Sequence, residues 1–101
     1  MPIIRGSAPT HEFWIPLKAR DVEQVEVIYR QGDVEILKGT DQCEVMDNLV
    51  RVNLLQSDTF RFYDGVRSVK IQIRVKPVDN APLFGEEIIE RVVPSLFAEE
   101  M

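Results

Sequence analysis

The stretch from Val66 to Lys76, VRSVKIQIRVK, alternates strictly. Val69, Ile71, Ile73 and Val75 fall on one side, Lys70, Gln72, Arg74 and Lys76 on the other. A period of two is that of a strand with one buried face, because successive side chains leave a strand in opposite directions. β-Branched residues fill the apolar side, so propensity agrees with pattern. The stretch reads as a central strand.

The same reading extends along the chain. His11 to Leu17 sets Phe13, Ile15 and Leu17 against Glu12 and Trp14. Pro16 lacks a backbone donor and places this strand at a sheet edge. Ala19 to Gln24 reads as a turn region, with Asp21 capping a short helical turn. Residues 25–38 read as a hairpin through Gln31-Gly32-Asp33, Gly32 supplying the positive φ. Cys43 to Met46 and Leu49 to Leu55 are two more strands, joined by a tight turn at Asp47-Asn48. Gln56 to Thr59 is a turn or a single helical turn, after which Phe60 and Phe62 share a face over one end of the core. Leu83 to Val93 is the last strand, with Gly85 as a bulge position. Seven strands, broken every eight to twelve residues, without sustained helical periodicity, predict an all-β fold: an antiparallel, immunoglobulin-like β-sandwich. The 101 residues suit a single domain, 1–101, in which 1–9 is an extended N-terminal segment and 94–101 a short C-terminal tail.

Composition narrows the function more than it defines it. The chain is 45% apolar and 29% charged, ordinary for a globular protein. Its net charge of −5 argues against an electrostatic grip on nucleic acid. The charge is uneven. Residues 66–76 carry four basic residues and no acid, and residues 86–101 carry Glu86, Glu87, Glu90, Glu99 and Glu100 against Arg91 alone. One cysteine, Cys43, forms no internal disulfide and suits a reducing compartment. No stretch reads as a signal peptide or reaches membrane-spanning length, so neither a membrane nor nucleic acid is expected as a partner.

No constellation of catalytic residues stands out. His11 is the sole histidine, and Ser7, Ser57, Ser68 and Ser95 lie in no nucleophile-elbow context. Cys43 shares an apolar face with Val45 and reads as a small core residue rather than a reactive thiol. Zinc needs more Cys or His than the two present. Asp41, Glu44, Asp47 and Asn48 cluster as calcium ligands do, but their spacing matches no known loop. No metal, cofactor or enzymatic activity is therefore expected. Trp14, opposite in direction to Phe13 and Ile15, is a contact residue if exposed. The last strand and tail add Ile88, Leu96 and Phe97, more apolar surface than one small core needs.

Four segments, MPIIRGSAPTHEF, VEVIYRQGDVEILK, VRVNLLQSDTFRF and VKIQIRV, together resemble a group of small prophage-encoded proteins of Gram-positive bacteria found among phage structural genes. The resemblance implies a virion or assembly component, working in the host bacterial cytoplasm and in the assembled virion. Its expected partners are other phage structural proteins or further copies of itself. It carries over no catalytic residues. Residues 94–101 would then dock on a neighbour, or else fold back over their own sandwich. The alternative function is a carbohydrate-binding module, which needs exposed aromatics on one face, from Trp14, Tyr29 and Tyr63.

Overall fold

Alternation becomes strand wherever the apolar side of a stretch finds a core to cover. The computed structural model describes residues 3–63, 68–79 and 84–93. The strands among them are β1 (Ile3–Ile4), β2 (Thr10–Trp14), β3 (Val22–Gln31), β4 (Val34–Lys38), β5 (Cys43–Met46), β6 (Leu49–Asn53), β7 (Ser68–Pro77) and β8 (Phe84–Val93), with one helical turn, α1 (Gln56–Thr59). A five-stranded sheet runs β1-β8-β7-β3-β4 and a three-stranded sheet β2-β6-β5. Their inward faces share one buried cluster, to which Phe13, Val50 and Val52 come from the smaller sheet and Val27, Tyr29, Ile71 and Ile73 from the larger.

β7 lies in the middle of the larger sheet. Val69, Ile71, Ile73 and Val75 are buried, and Lys70, Gln72 and Arg74 are exposed. Burying each of the four contributes about 1.5–3 kcal/mol. The β3–β4 hairpin closes through Gly32-Asp33, with a positive φ of 57° at Gly32 alone. That is the pattern of a type II′ turn, whose twist matches that of its strands. In the β5–β6 hairpin Asn48 takes φ 63°, the left-handed region that Asn tolerates.

The expectation of wholly antiparallel pairing needs correction at one place. β1 runs parallel to β8, Ile3 beside Val92 and Ile4 beside Val93. Ile3 and Val92 are both buried, so burial holds this two-residue strand at the sheet edge. Two residues show no period, so the sequence reads there only as an extended segment. The strand order also differs from the immunoglobulin arrangement of ABED against CFG. Numbered from β2, the second and third strands stay together as a hairpin in the larger sheet, and the second pairs with the sixth. Asp21 ends the 3₁₀ turn Ala19–Asp21 instead of capping it. The carboxylate of Asp47, from the β5–β6 turn, accepts the Ala19 N–H at 2.9 Å.

The N-terminal segment is held by the residues around α1. Thr59 Oγ1 accepts the Gly6 N–H at 3.0 Å and donates to the Ser7 carbonyl at 2.6 Å. Arg5 Nε donates to the Phe62 carbonyl at 3.0 Å, and its guanidinium lies 5.3 Å from the centre of the Phe60 ring. Gly6 has φ 85°, and a Cβ there would meet the Phe60 ring at 2.7 Å. The positive φ favours glycine, and a Cβ there would also displace the Phe60 ring. Phe62 is buried and Phe60 half-buried, so the two phenylalanines divide their work between the core and the N-terminal segment.

Candidate contact face

In the three-stranded sheet, burial of alternate residues fixes what the other face presents. Phe13 stands opposite Val50, and Val50 opposite Val45, all on the inner side. The neighbouring positions must then point outward. Trp14 stands opposite Leu49, which stands opposite Met46. This apolar row crosses all three strands. Trp14 is 64% exposed, and Leu49 and Met46 are half-buried. The hairpin turn pins the end of the row. Ile15 N–H donates to the Asn48 carbonyl at 3.1 Å, and Asn48 N–H to the Leu17 carbonyl at 2.8 Å. Trp14 is thus held on a rigid edge rather than on a loose loop.

The next row is charged. Arg51 lies between Glu12 and Glu44. Its Nε and Nη2 both donate to Glu12 Oε2, at 3.0 and 2.8 Å, and Nη1 lies 3.5 Å from Glu44 Oε2. The hydrogen bond and the charge of Glu12 together raise the Arg51 pKa. Ion pairs this exposed contribute little to stability. Their effect is to keep the long side chains of the row in register beside the apolar one. A third row pairs Thr10 with Asn53, hydroxyl to amide oxygen at 2.6 Å.

A second feature lies between the sheets. Thr10, His11, Phe13, Ile71, Ile88 and Glu90 line an open cleft of about 300 Å³. His11 Nδ1 lies 2.8 Å from the Tyr29 hydroxyl. Tyr29 is fully buried, and burial pushes its pKa upward. The neutral tautomer of His11 with its proton on Nε2 accepts the tyrosine O–H. Burial lowers the His11 pKa, against the opposing charge of Glu90. Burial raises the Cys43 thiol, against Lys38, and keeps it protonated. Its Sγ lies 3.8 Å from the Lys38 carbonyl. The pair of His11 and Tyr29 joins the two sheets. Nothing in its geometry activates a nucleophile.

The residues expected at a contact site fare differently. Trp14 is exposed as a contact requires. Ile88 is half-buried, because it stands opposite the buried Ile71 and shares its inward direction. Its neighbour Ile89 is the exposed one, at 60%. Leu96 and Phe97 lie outside the described residues. Of the aromatics considered for carbohydrate, Tyr29 is in the core, so the three do not gather on one face. Asp47 and Glu44, from the loop considered for calcium, are engaged with Ala19 and Arg51. Among the described residues no group of three or more His, Cys, Asp and Glu is placed to hold a metal ion.

The sequence does not single out Leu49, Met46, Arg51 or Glu12, and it marks Glu44 only as a calcium candidate. The Asp47-Asn48 turn carries the missing signal for part of the face: a two-residue loop sets Met46 opposite Leu49 and Glu44 opposite Arg51. Nothing local pairs β2 with β6. Compared with known proteins, the chain matches no family profile, no curated protein and no solved structure.

Proposed function

We propose that this chain is a non-enzymatic contact module, a structural or assembly protein of a phage or prophage particle. It acts through the outer face of its three-stranded sheet. We read the two sheets as a β-sandwich of seven longer strands, immunoglobulin-like in its layers and not in its strand order. The observation that carries the functional reading is Trp14, 64% exposed at the head of an apolar row that is flanked by an ion-paired one. Tryptophan is the residue most favoured at the centre of interfaces, and a polar rim beside an apolar patch is the usual anatomy of one. The setting in a particle rests on the sequence resemblance alone. The partners proposed are other structural proteins or further copies, neither nucleic acid nor membrane.

Replacing Trp14 with Ser tests the reading. An exposed side chain supports the fold little, so stability should change by about 0.5 kcal/mol or less. Binding to purified capsid or tail proteins, or to itself, should weaken by roughly 30-fold or more, the effect of losing an interface anchor. Unchanged binding by the folded variant would show that the contact lies elsewhere. Binding of the wild-type protein on a glycan array, lost in the same variant, would favour the carbohydrate module instead.

A further inference from the structure

We propose that His11 gates the cleft between the two sheets. Its neutral ring stays latched to Tyr29, and its charged ring leaves the hydroxyl for Glu90 and uncovers Tyr29 to the cleft. The gate is independent of the contact face, because His11 points inward from β2 and Trp14 outward.

The latch is a hydrogen bond between strands of different sheets, β2 and β3. Tyr29 is fully buried, so its hydroxyl proton needs an acceptor within the protein. His11 Nδ1 lies 2.8 Å from the hydroxyl, with the ring centres 5.6 Å apart. A neutral ring with its proton on Nε2 is that acceptor. Protonation puts a hydrogen on both ring nitrogens, so Nδ1 can then only donate. The Tyr29 proton is left without an acceptor in a buried place. Such a loss shifts an equilibrium by roughly tenfold or more, here against the latched position.

The ring has a short way out. His11 is half-buried and stands in the open cleft, so it can turn without any strand separating. Glu90, across the cleft on β8, is the acid whose charge favours an imidazolium there. The positive amino terminus works against that charge. Glu12 also borders the cleft but is tied to Arg51 on the outer face, and the Thr10 hydroxyl is engaged with Asn53. Phe13, Ile71 and Ile88 complete the lining and offer the charged ring nothing. Burial holds the His11 pKa below its ordinary value, so the gate is shut at neutral pH and opens in acid.

An NMR titration of the full chain, from neutral pH to the acid end of its folded range, provides the test. The imidazole nitrogen shifts report the charge on His11, contacts between the two rings report the latch, and broadening by a neutral gadolinium chelate reports the exposure of Tyr29. At neutral pH the proton should sit on Nε2, with the ring contacts present and Tyr29 shielded. As the ring takes up its second proton, the contacts should vanish and Tyr29 should broaden, while Ile73 in the same core stays shielded. A ring that charges with its contacts intact overturns the proposal. So does exposure of Ile73 in the same step, or a ring that stays neutral until the chain unfolds. Two variants test the partners. Tyr29→Phe takes the donor from the neutral ring, so the His11 titration midpoint should rise. Glu90→Gln removes the charge that favours the imidazolium, so the midpoint should fall. A midpoint unmoved in Tyr29→Phe overturns the latch, and one unmoved in Glu90→Gln overturns the destination of the charged ring.

Discussion

Asp58 joins the cap of α1 to a largely buried ion pair. Its carboxylate accepts the Leu55 N–H at 2.9 Å and lies 2.9 Å from Lys38 Nζ, and both charged side chains are largely buried. Burial works to raise the Asp58 pKa, but the Leu55 hydrogen bond and Lys38 outweigh it and hold the carboxyl below its usual range. Asp58→Asn would leave the Lys38 ammonium buried without a counter-charge. The expected cost is about 3 kcal/mol, read as a fall in the denaturant midpoint. A variant as stable as the wild type would mean that Lys38 escapes to solvent. His11 gives a prediction in pH. Its folded pKa lies below the unfolded value of about 6.5, so between the two only the unfolded chain takes up the proton. Stability is then full above about pH 6.5 and falls as the pH drops toward the folded value. The groups facing the ring are Tyr29, Phe13 and Glu90. Unfolding free energies measured between pH 7 and 5 should decline in the wild type and flatten in His11→Asn. Equal slopes would remove His11 from the account.

At the scale of elements, strict alternation marked the inner face of β7, whereas β8, apolar on both sides, left Ile88 and Ile89 to be told apart by their pairing. Val69, Ile71, Ile73 and Val75 are buried as their period requires. Ile71→Asp would place a lone charge in the shared core, at a cost of several kcal/mol that would unfold a domain of ordinary stability. A soluble Ile71→Asp protein melting at the wild-type temperature would contradict the register. Hairpins were legible too, since Gly32 and Asn48 meet local φ demands that few other residues meet. The strand β1 was not, because its two residues acquire meaning only beside Val92 and Val93. The contact face falls between these cases. Trp14 was marked by its direction along one strand, but the row it heads spans three strands, two of which are joined to it only by tertiary pairing.

For the whole molecule, the central question is which strands share a sheet. Alternation states that a strand has one inner face and leaves open which neighbour it takes. Here β3 pairs with β4 and β7, while β2 takes β6 across the sequence. This partition builds the outer face of the smaller sheet from strands far apart in the sequence. The row of Trp14, Leu49 and Met46 is thus a property of the partition and not of any one segment.

The sequence by itself determined the all-β character, the buried face of strands that alternate strictly, such as β7, and two hairpin turns. Each follows from interactions within a few residues: pleat alternation, β-branched propensity and the φ that a turn demands. Only the tertiary structure decided the strand order, the parallel edge strand, the anchoring of Gly6 beneath Phe60 and the row of Trp14, Leu49 and Met46. These join residues distant in sequence, and the free energy that selects among such pairings is the burial of one common core, to which every strand contributes and which no single strand specifies.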